Sequence, residues 1–259
     1  MPTLPAPPSA NLDLKFNAYQ YADFQAKTQD PYANAKYAIL AGWMRKAGGG
    51  RPLSVLNAGC GSGELSFLLA SHGHQVVGFD PGDDYVAMAK QSAASLEMRD
   101  CAFEVADIQA YAAAHADARF DAVVCTDVLE HVRDDVGNCA ALVRLLKPGG
   151  ALILTVPGGP YLFGFHDEQL GHYRRYTLRQ LTRILPPDVR LVRRRYFGMG
   201  LIPIAYMYSR KWRKPYPVAE AAEGKTMPVM SRIMWAMFGV EKAVPLPLGT
   251  SCLLWARKA

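Results

Sequence analysis

The sequence predicts an α/β protein built around a mostly parallel sheet, and three observations support this class. Short apolar runs alternate with helical patterns through the first 157 residues, which is typical of βαβ units. Acidic residues follow several of those runs, at the edge where parallel strands end. Half of the 259 residues are apolar and a fifth are charged, which is ordinary for a globular core.

The predicted elements begin with a helix that starts at Asp30 and Pro31. A carboxylate caps a first helical turn and proline suits its first position, and the run Gly48–Gly50 ends this helix. Apolar strands and further helices then alternate. We predict strands at 54–57, 75–79, 103–106, 120–125 and 151–156, and helices at 64–71, 83–95 and about 137–146.

After residue 156 the pattern changes. A helix is predicted at 177–185, a strand at 190–197 and a last strand at 251–256. The prediction is therefore a Rossmann-like sheet of seven strands, mostly parallel, with helices on both faces and a helical or irregular insert before the last strand. We divide the chain into a tail and lead-in (1–30), a core (31–197), an insert or lid lobe (198–249) and the last core strand (250–259).

Composition narrows the compartment and the partners. The five cysteines are scattered without a CxxC pair, which indicates neither a zinc site nor a disulfide framework and favours a reducing cytoplasm. The proline-rich start of the chain lacks the regions of a secretory signal, so we expect a flexible tail there. The net charge of +6 is modest and the basic clusters accompany no known binding module, so we expect no nucleic-acid partner. No apolar run reaches the roughly 18–20 residues of a membrane-spanning helix.

The strongest motif is VLNAGCGSG at residues 55–63, between a predicted strand and a predicted helix. Its glycines let the backbone turn sharply and pass close to a ligand. The spacing is GxGxG rather than the GxGxxG of pyrophosphate-binding folds, which favours a nucleoside that bears an amino acid. Asp80 ends the next strand, where an acid can accept hydrogen bonds from ribose hydroxyls. Asp107 and Ile108 follow the third strand and would hold and cover an adenine, although a strand-end Asp can also be simply a helix cap.

Five motifs follow one another across residues 53–157: VLNAGCGSG, VVGFD, FEVADI, FDAVVCTDVLEHV and LLKPGGALILTVP. In this order they resemble the class I S-adenosylmethionine-dependent methyltransferases, in particular the broad bacterial group similar to ubiquinone-pathway O-methyltransferases. The resemblance implies S-adenosylmethionine as methyl donor and S-adenosylhomocysteine as product. It also implies the cofactor-binding residues Asn57, Ala58, Gly59, Cys60, Gly61, Gly63, Asp80, Pro81, Asp107, Ile108, Thr126 and Asp127. Asn57 departs from the family, which usually has an acid there, so the amide offers no charge to the methionine ammonium.

The segment after the fifth strand is predicted to hold the methyl acceptor. Residues 172–177 look like the HxRRYT stretch found at this place in many relatives. An oxygen acceptor must lose its proton, and histidine is suited to that task near neutral pH. His172 and His166 are the candidate bases, although either could instead anchor the loop. Arg174 and Arg175 would grip an anionic group or form structural ion pairs. Aromatic walls are predicted at Tyr161, Phe163, Tyr173 and Tyr176.

The DxxEH stretch Asp127–His131 raises the question of a metal. Some ubiquinone-pathway relatives bind a divalent ion through ExxEH at this place, and the residue types here are compatible with one. Many metal-free methyltransferases carry LEH there as well, where Glu130 and His131 support the helix start and line the pocket. We predict no metal.

The resulting hypothesis is a methyltransferase that acts on a small-molecule, sugar or lipid-linked acceptor, with oxygen favoured over nitrogen. We expect a cytoplasmic location, with peripheral contact to the inner membrane surface open because the 198–249 insert mixes tryptophan, methionine and basic residues. A helical lobe packed on the sheet would explain the same residues. Two alternatives are a catalytically silent binding or scaffold protein and an NAD-dependent oxidoreductase. The intact glycine turn and acids argue against the first, and the glycine spacing argues against the second.

Overall fold

A computed structural model describes residues 30–214 and 228–259. Within this part of the chain, seven strands form one sheet: β1 Ser54–Ala58, β2 Gln75–Asp80, β3 Cys101–Val105, β4 Phe120–Thr126, β5 Leu146–Pro157, β6 Val189–Phe197 and β7 Ser251–Lys258. Their spatial order is β3-β2-β1-β4-β5-β7-β6. The first five strands pair in parallel, and β7 runs antiparallel to both β5 and β6. The predicted mostly parallel, seven-stranded sheet is confirmed.

Helices cover the sheet on both sides. The α-helices are α1 Pro31–Ala47, α2 Glu64–Ser71, α3 Asp83–Ser95, α4 Ile108–Ala114, α5 Asp135–Arg144, α6 Phe165–Leu170, α7 Leu178–Arg183, α8 Ile202–Ala205 and α9 Pro228–Ala243. Short 3-10 turns lie at Leu129–His131, Pro160–Leu162 and Met199–Leu201, and Tyr206–Trp212 is π-helical. Among the described residues, no helix is both long and apolar enough to cross a membrane.

Alternate residues of each central strand enter two different cores. Leu56 of β1 packs into the core that includes Leu142 of α5, whereas its neighbour Val55 packs into the core that includes Leu40 and Met44 of α1. All five side chains are fully buried. Because burying a Leu or Val side chain contributes about 1.5–3 kcal/mol, this alternation fixes the register of the sheet. The switch in strand order between β1 and β4 then opens a crevice at the carboxyl ends of these strands.

Several predicted boundaries differ from the structure for local reasons. Helix α4 lies in a stretch where the sequence predicts none, and Asp107 caps it by accepting from the Ala110 amide at 2.8 Å. Helix α5 starts two residues earlier than predicted because Asp134 accepts from the Gly137 amide at 2.8 Å. Strand β5 starts five residues early, since Leu146 already pairs with Phe120 before the register shifts.

The described part of the predicted helical or irregular insert, 198–214 and 228–249, contains α8, the π-helical stretch and α9. Its helix α9 packs against α1, with the Phe238 ring 5.4 Å from Tyr32 and 5.6 Å from Phe197 between centroids. Residues 215–227 of the insert and the proline-rich tail lie outside the described residues. The division of the chain into core, lid lobe and closing strand stays a prediction.

Candidate cofactor and acceptor sites

The glycine turn after β1 leaves open space at the carboxyl edge of the sheet. Gly59 has φ +69° and a Cβ there would collide with Val128. The amides of Gly59 and Cys60 donate to the Phe79 carbonyl at 2.8 and 2.9 Å, which folds the turn over the end of β2. Gly61, at φ +52°, has no atom within 4 Å of the position a Cβ would take. A ligand can therefore lie directly against this backbone.

Asp80 is tied to the same turn. Its two carboxylate oxygens accept from the Gly61 and Gly82 amides, each at 2.9 Å. Burial raises the pKa of Asp80, and the two backbone hydrogen bonds work against that rise. An ionised carboxylate offers about four acceptor positions, so Asp80 keeps acceptor capacity for hydroxyl groups in the crevice. Pro81, beside it, is exposed.

The side chains of Asn57 and Cys60 are buried beneath the turn. The Asn57 amide nitrogen donates to the Ser66 hydroxyl at 2.9 Å, but the buried Oδ1 has no hydrogen-bond partner among the described residues. Such an orphaned acceptor invites a donor, because an unsatisfied buried polar atom is costly. Burial, with Asp80 nearby, raises the pKa of the Cys60 thiol far above its usual range, so this cysteine stays protonated. Ala58 is fully buried.

The two residues predicted to hold adenine differ in exposure. Asp107 is exposed and one of its carboxylate oxygens caps α4, which leaves the other oxygen available. Ile108 is 4% exposed and packs in the core with Phe79 and Tyr111. The position of Ile108 in the first turn of α4 turns its side chain towards the sheet, and its predicted cover over an adenine ring stays a prediction.

An ion pair between a buried lysine and a partly exposed aspartate at this edge was not anticipated from the sequence. Lys36 of α1 is 7% exposed and pairs with Asp127, which follows Thr126 at the end of β4. The Thr155 hydroxyl also donates to Asp127, at 3.1 Å. Burial alone would raise the pKa of Asp127, but the Lys36 ammonium and the hydrogen bonds hold it below its usual value. The signal in the sequence was a lysine one turn before Leu40, on the apolar side of the predicted helix.

The acceptor segment is organised around Asp167, which is fully buried. Its carboxylate accepts from His172 Nδ1 at 2.8 Å, from Arg175 Nε at 2.7 Å and from the Gly164 amide at 3.0 Å. Gly171, at φ +70°, turns the chain after α6 so that His172 folds back onto this helix. Burial alone would raise the pKa of Asp167, and these donors lower it instead. The sequence singled out His172 and Arg175 but gave Asp167 no role.

Two further ionisable side chains adjoin His172. The His131 ring lies 4.6 Å from the His172 ring, edge to face. Desolvation and then His172 lower the pKa of His131 to about 4, although part of its surface is open to solvent. Glu130 is fully buried, and neither carboxylate oxygen has a hydrogen-bond partner among the described residues. Burial raises the pKa of Glu130 well above its usual value.

The side chains with metal-ligand chemistry form a different set from the predicted DxxEH stretch. In the described part of the chain, ligand atoms of Glu130, His131 and His172 all lie within 4.8 Å of one another. Asp127 lies outside this group and pairs with Lys36. The absence of a metal stays a prediction.

The remaining predicted acceptor residues are mostly engaged within the protein. Arg174 pairs with Asp135 at 2.9 Å, and Arg175 is buried against Asp167. Their predicted grip on an anion stays a prediction. Tyr176 is 2% exposed with its hydroxyl 2.9 Å from Asp135 Oδ2, so it supports the loop from inside, and its part in an acceptor pocket stays a prediction.

The other aromatic residues and His166 lie nearer the surface. Tyr161 and Tyr173 are about half exposed, at 49% and 47%, and Phe163 is half-buried. The His166 amide donates to the Ser209 hydroxyl at 3.2 Å, which joins this segment to the π-helical stretch. Desolvation and the nearby Arg175 lower the pKa of His166 to about 3.

The family model and the similar proteins described below are all named as methyltransferases. A family model described as a methyltransferase domain matches residues 51–194. The ubiquinone biosynthesis O-methyltransferase of Psychrobacter arcticus is 36% identical over 133 residues, 50% of this chain and 49% of that protein. The chain therefore spans about half the length of that relative. The enzyme of the same name from Sodalis glossinidius is 28% identical over 242 residues, which cover 75% and 96% of the two chains.

A solved structure shares the fold over nearly the whole chain. Magnesium protoporphyrin IX methyltransferase from Synechocystis PCC 6803, with bound S-adenosylhomocysteine, matches with a TM-score of 0.57 and 19% identity. The match covers 96% of this chain and 95% of that one. At this identity the likeness shows the fold alone.

Proposed function

The chain belongs to the class I S-adenosylmethionine-dependent methyltransferases, and from this premise we propose that it methylates an oxygen atom of a small-molecule or lipid-linked acceptor. The observation that carries the proposal is the hydrogen bond between His172 and the buried Asp167. A hydroxyl acceptor needs a base, whereas a neutral amine does not. The relatives from Psychrobacter and Sodalis, which are named as O-methyltransferases, support the choice of oxygen.

The residues at the sheet edge fit the cofactor. Gly61 lets a ligand approach the backbone, and Asp80 offers acceptor positions to ribose hydroxyls. The orphaned Asn57 Oδ1 suits a donor such as an ammonium group. Lys36 and Asp127 form a charge pair that matches the opposite charges of an amino acid. When bound, S-adenosylmethionine supplies a methyl group on a positively charged sulfur.

His172 is the proposed base. With its Nδ1–H donated to the Asp167 carboxylate, the neutral ring keeps an Nε2 lone pair that can accept the proton of an acceptor hydroxyl. His172 Nε2 takes up the proton of the acceptor hydroxyl. The acceptor oxygen becomes a better nucleophile as that proton leaves. The neighbouring His131, with its lowered pKa, is neutral at pH 7 and does not compete for that proton.

Asp167 and Arg175 are the proposed positioning pair. Asp167 fixes the ring orientation and tautomer of His172, and its negative charge stabilises the imidazolium that forms. Arg175 compensates the buried charge of Asp167 through its Nε–H. Holding the base in place matters because alignment supplies much of the acceleration of an in-line displacement.

The test is an acceptor screen with the purified full chain. S-adenosylhomocysteine release is measured with matched pairs of phenols and anilines, each with and without a prenyl chain, and the product is assigned by NMR. We expect turnover with hydroxyl acceptors and a methyl ether as product. Turnover on nitrogen alone, or calorimetric binding of NAD in place of S-adenosylhomocysteine, would contradict the proposal.

A further inference from the structure

A cavity of about 430 Å³ opens between α1 and α2, and we call it the amino-edge cavity. Its lining includes Arg51, which precedes β1, and His72 and His74, which precede β2. In a parallel sheet these strand starts lie at the edge opposite the carboxyl ends, where the glycine turn and Asp80 are found. Among the described residues that line the cavity, none is assigned above to the cofactor or to the methyl acceptor.

The floor of the amino-edge cavity is apolar and open. Ala38, Ala41 and Gly42 follow one another at the spacing of a single face of α1, and Leu68 of α2 lies beside them in the lining. A Cβ at Gly42 would meet no atom within 4 Å. Because cavities of about 300–1,000 Å³ hold small molecules, this floor has room for a small organic group as well as for an ion.

His74 offers a buried hydrogen-bond donor to the amino-edge cavity. The residue is 5% exposed, and its Nδ1 accepts from the Leu53 amide at 3.1 Å. Burial, and then the neighbouring His72, lower the pKa of His74, so the ring is neutral at pH 7. A neutral imidazole that accepts at Nδ1 carries its proton on Nε2. Among the described residues this Nε2–H has no hydrogen-bond partner, so it is available to a ligand.

Two exposed guanidinium groups line the same cavity. Arg45 has no side-chain hydrogen bond or ion pair within the described part of the chain. Arg51 is 4.0 Å from Asp121, which Lys147 holds more closely at 3.0 Å. The described lining contains no acidic side chain. A basic residue in the last turn of α1 also suits the helix dipole, but the dipole does not explain why Arg45 shares a cavity with Arg51 and the buried donor of His74.

We propose that the amino-edge cavity binds a small phosphomonoester whose organic part is apolar. A phosphate group presents three acceptor oxygens, which match the two guanidinium groups and the imidazole N–H, and arginine fits phosphate geometry well. A carboxylate has two oxygens and would leave one of these donors unused. The apolar part would lie against Ala38, Ala41 and Leu68. This site is separate from methyl transfer, because it shares no residue with the cofactor edge or the acceptor segment.

The experiment is titration calorimetry of the full chain with phenyl phosphate, compared with inorganic phosphate and phenol. We expect saturable binding of phenyl phosphate and weaker binding of inorganic phosphate, which leaves the apolar floor uncovered. Phenol lacks the charge and should not bind at the same concentrations. Saturating S-adenosylhomocysteine should leave the affinity for phenyl phosphate unchanged. Loss of binding in its presence, or phenol bound as tightly as phenyl phosphate, would overturn the proposal.

Gly42→Leu tests whether the ligand occupies this cavity. Leucine would fill the open space beside α1 and is a better helix former than glycine, so the variant should fold and still lose at least about tenfold in affinity for phenyl phosphate. The matched control is Gly239→Leu, at a glycine of α9 whose Cβ position is also open. Equal affinities of Gly42→Leu and the parent would place the ligand elsewhere and overturn the proposal.

His74→Asn tests the buried donor. The asparagine Oδ1 can take the place of Nδ1 as acceptor for the Leu53 amide, whereas the Nε2–H is lost. Hydrogen bonds to a charged group contribute enough that about a tenfold or greater loss in phenyl phosphate affinity is expected. Circular dichroism and S-adenosylhomocysteine binding confirm that the variant is folded.

The paired variant Arg45→Gln with Arg51→Gln tests the charge of the cavity and keeps both side chains long and polar. We expect at least about a tenfold loss of affinity for phenyl phosphate, and a smaller dependence of the remaining binding on salt. Lys46→Gln with Lys90→Gln is the matched control, because both lysines are exposed and neither lines the cavity. An equal loss in the two pairs would mean that net charge alone attracts the phosphate, and it would overturn the proposal.

Discussion

Polar groups are held in position differently at the cofactor edge and in the acceptor segment. At the cofactor edge most of the geometry comes from the backbone: the Gly59 and Gly61 turn, and amides that hold Asp80. In the acceptor segment it comes from side chains that hold one another, with Asp167 joined to both His172 and Arg175.

This difference has consequences for how each region should respond to mutation. Asp80 holds only the backbone amides of Gly61 and Gly82, so replacing it should loosen the turn and affect binding more than the stability of the whole fold. A side-chain network is coupled, because removing one member leaves others buried and unsatisfied. Lys36 and Asp127 are a second such network, located inside the cofactor edge itself. The following predictions test whether this contrast holds.

The largest expected effect is on turnover of the His172→Ala variant. Removing a general base typically costs about 10²–10⁴-fold in rate, or roughly 3–5.5 kcal/mol in the barrier. S-adenosylhomocysteine affinity should stay nearly intact, as measured by calorimetry. The control is His115→Ala, which removes a histidine paired with Glu104 away from the site.

Two other results would change the assignment for His172. Normal turnover by a folded variant would make the residue structural and His166 the next candidate. Loss of cofactor binding would place the segment in the cofactor lid and remove the contrast between the two regions.

The next effect is on the free energy of unfolding when Lys36→Met leaves Asp127 without its cation. Breaking a fully buried ion pair at one partner costs about 3–5 kcal/mol. Because the Asp127 side chain is 37% exposed, solvent lowers the expected loss to roughly 2–3 kcal/mol. Urea denaturation should show this loss, and the double variant Lys36→Met with Asp127→Asn should recover much of it. Lys46→Met, an exposed lysine near the end of the same helix, is the control. If Lys36→Met has the same free energy of unfolding as the parent, the ion pair does not contribute to the stability of the fold.

Asp80→Ala should cost less, and more in binding than in stability, although it also leaves the Gly61 and Gly82 amides without their acceptor. Hydrogen bonds to a charged group contribute roughly 1.5–3 kcal/mol, and we expect that loss in S-adenosylhomocysteine affinity by titration calorimetry. Asp83→Ala, an exposed acid at the start of α3, is the matched control. Unchanged affinity in Asp80→Ala would remove its assignment to the ribose.

The same contrast explains what the sequence could predict. Strand alternation and the glycine turn are local patterns, so the sheet and the residues at its edge were predictable. The Asp167 network and the Lys36–Asp127 pair join residues 8 and 91 positions apart, and the second pairing depends on how α1 packs on the sheet. The burial of Tyr176 against Asp135 was not predictable for the same reason, since it follows from packing and not from its neighbours in the chain.

A smaller effect is expected in the pH dependence of stability. In the folded protein the pKa of His166 is about 3, against 6.5 for a free side chain. Below pH 6.5 the unfolded chain therefore binds a proton that the folded chain does not, and stability falls as pH falls. His166→Asn should reduce this dependence by about one proton in urea titrations at several pH values. An unchanged slope in His166→Asn would contradict the neutral state of this ring in the folded protein.

The smallest expected effect is that of metal removal, for which we predict no loss of turnover after exhaustive chelation and no gain from magnesium. Asp127 already has Lys36 as its cation, so an ion bound there would face an ammonium group. An ion held instead by Glu130, His131 and His172 would occupy the ring nitrogen that the proposed base needs. Activity that is lost on chelation and restored by magnesium alone would therefore change the assignment of residues as well as the list of cofactors. It would turn His172 from a base into a ligand and make the acceptor segment a metal site.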